Sequence, residues 1–485
     1  MKRAHRNYAL SRRHFLHLAV AGATGAALAG CTASTGAGVA AEAADGWARA
    51  REISETIATA TFPDRDFDIR DFGAEAGGQA DATAAITRAI AACHEAGGGR
   101  VVVPEGVFAC GPIHLRSNVN LHLVEGAELS FSTDPQRYLP RVFTRWEGME
   151  LMNYSPLVYA YGQENVAVTG AGTLQGNAND QTWWPWKGPN SEQHWDLIEG
   201  QDQAPARARL EQETEAGLPV AERLYGEGSW LRPPLVQFYR CKRVLLEGVT
   251  LKDSPFWLIH PVLCEDVVVR GVTCSSHGPN SDGCNPESCR RVLIDNCRFD
   301  TGDDCIAIKS GRNADGRRIA VPCEDVLIRG CHMAAGHGGV VIGSEISGGV
   351  RHVYAENCEM NSPDLERALR IKTNSVRGGV LEHLRYRNIH VGRVKDVLVI
   401  NFHYEEGDAG DFEPLVRDVE VSNLVVENAD RVFQVRGFAR NPVRDVRLEN
   451  VMVRRAGTIG IVEHVTGLEV DQVTINGNAW RGPAV

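Results

Sequence analysis

Val244-Leu245-Leu246-Glu247-Gly248-Val249 returns as Val267-Val268-Val269-Arg270-Gly271-Val272, then as Val292-Leu293-Ile294-Asp295-Asn296-Cys297 and Val326-Leu327-Ile328-Arg329-Gly330-Cys331. Later copies open at Val353, Val419 and Val446. The starts at 244, 267, 292, 326 and 353 are 23, 25, 34 and 27 residues apart, which is one phase with insertions at a corner. Alternating apolar, β-branched residues make each copy a strand, and its Gly or Asn admits the tight bend that follows. No helix-length segment separates the copies, so ordinary βαβ units are excluded. The strands must stack as coils of an all-β, single-stranded, right-handed parallel β-helix, a solenoid that grows by adding coils. Stacked coils lie about 4.8 Å apart, so residues of equal phase become lateral neighbours.

Two short, Gly-marked segments bring three carboxylates into this repeat: Asn280-Ser281-Asp282-Gly283 and Gly302-Asp303-Asp304-Cys305. Alone, Gly-Asp-Asp reads as a turn whose Asp side chains cap local backbone. Asp282 to Asp303 is 21 residues, and Asp304 to His337 and His337 to Arg370 are 33 each, so these groups are expected at one corner of successive coils. His337 stands in Gly336-His337-Gly338-Gly339, whose small neighbours leave the ring accessible. In Arg370-Ile371-Lys372, alternate residues face one side of a strand, giving two donors suited to a uronate carboxylate. Paired acids are what glycosidic hydrolysis needs, one to protonate the leaving oxygen and another to activate water.

The ordered set Asn280-Ser281-Asp282, Gly302-Asp303-Asp304, Gly336-His337-Gly338 and Arg370-Ile371-Lys372 resembles the four signature motifs of glycoside hydrolase family 28, the polygalacturonases and their relatives. The resemblance extends from about Phe67 to the C-terminal coils. Asp68-Ile69-Arg70-Asp71-Phe72-Gly73-Ala74, with the Ala-rich stretch Ala82 to Ala96, resembles the family's N-terminal cap, a helix closing the open end of the solenoid. The resemblance implies cleavage of α-1,4-galacturonosidic bonds of pectin by inversion. Asp303 resembles the general acid, Asp282 and Asp304 the pair that holds and deprotonates water, and His337 the residue that supports the acid. Arg370, Lys372 and Tyr404 resemble substrate-binding groups, with Asn280 beside them. Inversion predicts about 6.5 to 9.5 Å between acid and base, and clustering predicts one carboxyl kept protonated.

Ser281 stands where the family usually has Thr, Gly302 where many endo-acting members carry Gln, and Gly339 where a bulkier apolar residue is common. Arg232-Pro233-Pro234-Leu235-Val236-Gln237-Phe238, Ser254-Pro255-Phe256-Trp257-Leu258-Ile259-His260-Pro261 and Lys309-Ser310-Gly311-Arg312 look like segments of bacterial exo-acting relatives. An exo enzyme needs a blocked cleft. The insertion at 175–232 is expected to supply the block, with Trp183, Trp184, Trp186, Trp195 and Trp230 and a charged helical stretch from Ala204 to Tyr225. Its tryptophans serve either as sugar-stacking faces or as anchors.

The chain of 485 residues is 43% hydrophobic and 7% aromatic, with 50 Gly suited to repeated turns. A net charge of −11 excludes a nucleic-acid partner and requires Lys309, Arg312, Arg370 and Lys372 to make the cleft locally positive for a pectic polyanion. Ser11-Arg12-Arg13-His14-Phe15-Leu16 and the apolar run to Ala29 read as a twin-arginine export signal, residues 1–30, with Leu28-Ala29-Gly30-Cys31 as a lipobox. Cys31 is then lipidated, residues 31–65 are an Ala/Gly-rich tether through Ala44 with a short lead-in, and residues 66–485 are the catalytic solenoid. The expected product is a periplasmic or cell-surface lipoprotein; cleavage near Ala41-Glu42-Ala43 is the alternative and gives a secreted soluble enzyme.

Twelve further Cys permit disulfides, but Cys264, Cys274, Cys297, Cys331 and Cys358 fall at apolar strand positions, where Cys behaves as a small buried hydrophobe. There is no Cys-x-x-Cys and the His residues are scattered, so no metal or cofactor is expected, and a monomer is the default for a β-helix. A polysaccharide lyase shares the fold but uses Lys or Arg beside acidic calcium ligands. A carbohydrate-binding solenoid has no need of three acids beside His337 and a cationic pair. Rhamnogalacturonan and xylogalacturonan fragments remain alternative substrates.

Overall fold

The computed structural model describes residues 46–188, 195, 197–361 and 364–483. The twin-arginine segment, the lipobox at Cys31 and the tether through Ala44 lie outside the described residues. Stacked parallel strands form one 26-stranded ladder, with a second four-stranded ladder on another face. Val119, Val166, Val244, Val267, Val292, Val326, Val353, Leu384, Val419, Val446 and Leu468 form a single column, each paired with the next. This is the column that the repeated phrase predicts, and Leu384 fills the coil that the phrase leaves blank between Val353 and Val419.

One corner repeats with the coils. Gly248, Gly271, Asn296, Gly330, Asn357, Asn388, Asn423 and Asn450 all have φ between 51° and 78°, the left-handed region open to Gly and Asn. Four of the asparagines form a ladder: Asn450 donates to Asn423 at 2.8 Å, Asn423 to Asn388 at 3.0 Å and Asn388 to Asn357 at 3.1 Å. Inward valines, leucines and isoleucines fill the lumen, and all twelve cysteines among the described residues are buried free thiols. The reading of cysteine as a small hydrophobe holds.

Four helices decorate the solenoid: α1 (Ala48–Thr56), α2 (Thr83–Glu95), α3 (Ala204–Glu215) and α4 (Asn313–Ile319). The helix α2 buries Ala85, Ile86, Ala89, Ile90 and Cys93 against the first coils and is the expected cap. The lead-in is docked: Trp47, Ala50 and Ile53 pack on Ala167, Leu245, Val268, Leu293, Leu327 and Tyr354 across successive coils, and Arg49 bonds Asp325 at 2.7 Å. No helix among the described residues is long and apolar enough to cross a membrane.

The insertion carries α3 and the tryptophan-rich turn Trp184–Lys187. An antiparallel hairpin, Val142–Trp146 with Met149–Asn153, packs against it through Trp146, Met149, Leu151, Leu210, Tyr225, Phe256 and Trp257. Arg145 pins the hairpin to the coil wall, 3.1 Å from the buried Glu287.

Candidate active site

The coil register corrects the expected phase of the acids. Cys284 is bridged to Ile306, so Asp282 aligns with Asp304 and not with Asp303. Ile306 pairs with Val340, which sets Asp303 beside His337, whose backbone N–H donates to the Asp303 carbonyl at 3.1 Å. Arg370 pairs with Val341, so it is one coil beyond His337 but outside its column. Lys372 stands in the column of Lys309 and Gly343. The groups still converge. Asp282, Asp303, Asp304, His337, Asn280, Lys309, Arg312, Arg370, Lys372 and Tyr404 all line one cavity of about 450 Å³.

The nearest oxygens of the three carboxyls lie within 4.8 Å of one another, tighter than the separation expected for an inverting pair. Asp282 and Asp303 are each held through one oxygen, and Asp304 through both. Asp282 Oδ2 accepts from Asn285 at 3.0 Å and lies 3.7 Å from Lys309 Nζ. Asp304 Oδ2 accepts from Lys372 Nζ at 2.6 Å, with Arg370 at 3.4 Å from Oδ1. Asp303 Oδ1 accepts from the Asp304 backbone N–H at 2.9 Å and lies 3.0 Å from His337 Nδ1. Asp282 Oδ1 and Asp303 Oδ2 carry no hydrogen bond among the described residues. Such a spacing also suits a cation; Lys372 and Arg370 bond Asp304, and Lys309 places a further positive charge 3.7 Å from Asp282.

Burial and the neighbouring charge of Asp303 push Asp282 well above the usual carboxylate range. Burial also pushes Asp303 up, but the charge and hydrogen bond of His337, aided by Lys372 and Lys309, more than reverse this and hold it below that range. The charge of Asp303 in turn raises His337 from 6.5 to about 9. Burial thus favours the protonated form of Asp282, while His337 favours an ionised Asp303.

Arg370 and Lys372 are not free donors, because both are ion-paired to Asp304. Their guanidinium and ammonium groups sit 5.5 and 5.3 Å from the Tyr404 ring, which completes that wall. Lys309 bonds Glu345 at 2.9 Å and lies 4.7 Å from the Trp257 ring; Arg312 is nearly buried among Glu147, Glu211, Glu345 and Glu406. Asn280 accepts from Arg232 Nη2 at 2.7 Å, and Arg232 also donates to the Pro255 and Pro279 carbonyls and to Gln203 of the insertion. This buried guanidinium, lowered to about 9 by burial, fixes the loop that presents Asp282.

The insertion is anchored by some of its tryptophans and lines the cavity with another. Trp183 and Trp186 are buried anchors, packed edge-on at 4.7 Å, while Trp195 and Lys187 face the cavity. The Gly302 departure also has a cause. A Cβ at Gly302 would lie 2.7 Å from the His277 backbone, and one at Gly278 would strike the indole of Trp184. The 277–280 loop is thus sandwiched between the coil and the insertion, and no side chain fits beneath it. Glu147, Lys187, Arg207 and Glu345 were not singled out by sequence reasoning. The Glu147-Gly148 pair between two alternating runs is a hairpin signal, and Glu345 follows Gly343-Ser344 after the strand Val340–Ile342.

A parallel β-helix with a carboxylate trio, an imidazole and a cationic wall in one polar cavity has the fold and site of a polysaccharide-cleaving glycosidase. The family model for glycosyl hydrolases family 28 matches residues 227–473, and the chain belongs to that family. Its structure resembles that of a hyperthermoactive exopolygalacturonase from Thermotoga maritima, at 44% identity and a TM-score of 0.82, covering 89% of this chain and 96% of that one. Similar sequences include a probable polygalacturonase from Vitis vinifera, 26% identical over 80% of this chain and 74% of the relative, and an exo-poly-alpha-D-galacturonosidase from Dickeya chrysanthemi, 26% identical over 80% and 66%.

Proposed function

We propose that the protein hydrolyses α-1,4-galacturonosidic bonds of polygalacturonate or its oligomers from a chain end, by a single displacement with inversion. The observation that carries this reading is the carboxylate trio in a cavity walled on one side by the insertion and on the other by Arg370, Lys372 and Tyr404. The likeness to the Thermotoga exopolygalacturonase supports the exo mode.

Asp303, the most open of the three acids, gives its proton to the glycosidic oxygen through Oδ2. Asp282 and Asp304, on adjacent coils with their outer oxygens held by Asn285 and Lys372, position a water and accept its proton. The cleaved bond is C1–O; its electron pair stays on the oxygen that Asp303 protonates, and water oxygen bonds to C1. Asp303 must be protonated for this step. A bound uronate brings negative charge beside it, which raises its pKa and draws the proton held by Asp282 across the cluster. His337 orients Asp303, and the proton that the water leaves on Asp282 is the one that returns to Asp303 in the next turnover.

Purified residues 46–485 should release galacturonate monomer or dimer alone at early times from polygalacturonate and from a defined oligomer, and Asp303→Asn should lose at least about 100-fold in kcat. Proton NMR of the first product should show the β-anomer. A ladder of mid-length products overturns the exo mode, an α-anomer overturns inversion, and no product with galacturonans but release from rhamnogalacturonan or xylogalacturonan fragments moves the substrate. We further propose export through the twin-arginine segment, lipid attachment at Cys31 and a monomeric state, each checked by mass and size of the processed protein.

A further inference from the structure

Six Lys and Arg side chains line the cavity, and five of them are already ion-paired. Arg207 bonds Glu147, Lys309 bonds Glu345, Arg312 bonds Glu211, and Arg370 and Lys372 bond Asp304. The sixth, Lys187, makes no hydrogen bond and no ion pair among the described residues, although it is half-buried. A half-buried cation without a partner is costly unless a ligand completes it.

The turn that carries Lys187 is firmly held. Trp186 Nε1 donates to Gln201 at 2.8 Å, the Trp186 carbonyl accepts from the Gln203 backbone N–H at 2.8 Å, and Trp230 packs edge-on against Trp186 at 5.0 Å. Trp184 Nε1 bonds the Ser254 carbonyl at 3.0 Å, which ties the same turn to the coil wall. Gly188, at φ 82°, ends the turn. Lys187 is therefore held at the cavity by an anchored turn, and it shares the lining with Arg370, Lys372 and Tyr404. Burial lowers its pKa while the charges of Glu147 and Asp303 oppose this, so it lies within electrostatic reach of the reacting centre.

We propose that Lys187 is the specificity-determining residue that pairs with the C6 carboxylate of the bound uronate and so selects charged over neutral sugars. The assignment rests on the pectic reading above and deepens it: the strand pair Arg370 and Lys372 holds Asp304, and the insertion supplies the cation for the substrate. Lys187→Met should lower kcat/KM for trigalacturonate by about 10- to 100-fold, mostly through KM, as expected for loss of a charge-assisted hydrogen bond. Methyl-esterified trigalacturonate should be little affected, and Lys187→Arg should restore most of the loss.

The decisive measurement is an NMR titration of wild type, Lys187→Met and Lys187→Arg with galacturonate and with galactose, alongside thermal melts that confirm folding. Wild type should prefer galacturonate, Lys187→Met should lose the preference and Lys187→Arg should keep it. If wild type prefers galacturonate and Lys187→Met does too, the assignment is wrong while the pectic reading stands. If wild type shows no preference, the pectic reading fails and the assignment with it.

Discussion

His337 and Asp303 stabilise each other as ions, and that gives the pair a pH window. His337 is raised from 6.5 to about 9, so its contribution is fully present below 6.5 and is lost as pH climbs through about 9. Asp303 is depressed below 3.8, so its contribution is present above that value and is lost only in stronger acid. Replacing His337 by Gln leaves three clustered carboxyls with less compensation. The melting temperature of wild type should therefore exceed that of His337→Gln most between pH 5 and 6.5, and the difference should vanish above pH 9 to 10. A difference that is constant with pH would mean that His337 contributes by packing alone. His337 is partly open to solvent, so screening keeps the effect modest.

At the scale of the element, the asparagine ladder is the clearest test of how corners are built. Asn388 sits at φ 54° with one donor bond to Asn357 and one acceptor bond from Asn423. Asn388→Gly keeps the backbone freedom and loses the exposed bonds, whereas Asn388→Ala loses both. Denaturation should place the Ala variant about 1–2 kcal/mol below the Gly variant, the cost of a Cβ in the left-handed region; equal stability would show that the corner relaxes. Strands and corners were legible in the sequence because both have a local cause. Period-2 burial writes the valine column, and a positive φ writes Gly or Asn. What was misread was the step between coils at the site. Neighbouring strands advance by 25 residues from Thr273 to Arg298, yet Cys284 to Ile306 advances by 22, because the corner through His277, Gly278 and Pro279 is longer in one coil than in the next. Corner length leaves no trace in strand phase, so Asp282 was aligned with Asp303 when its partner is Asp304. The ion pairs were illegible for a related reason. The Arg370–Ile371–Lys372 alternation shows that both cations share a face, but only the stacked coils show that Asp304 occupies it.

At the scale of the whole molecule, the residues from 46 onward stack as one ladder in which each coil pairs with its neighbours. The segment led by α1 is an exception, since it joins strands from Ala167 to Tyr354. A chain starting at residue 66 would bare Leu245, Val268, Leu293 and Leu327. Loss of the buried Trp47 and Ile53 alone removes on the order of 3 kcal/mol of apolar burial. Compared with residues 46–485, that shorter chain should melt at lower temperature and bind a hydrophobic dye; unchanged melting would mean that the strap is dispensable.

The strap also sets an order in time. Synthesis delivers residues 47–62 before any coil that seats them, and the ring of Tyr354, 5.4 Å from that of Trp47, emerges only much later. The first described segment to be made is thus among the last to find its place, and its docking reports that the central coils have stacked. In sequence, the leader that we propose for export of folded protein precedes the strap by one tether, so the latch that closes last follows the signal that is read once folding is complete.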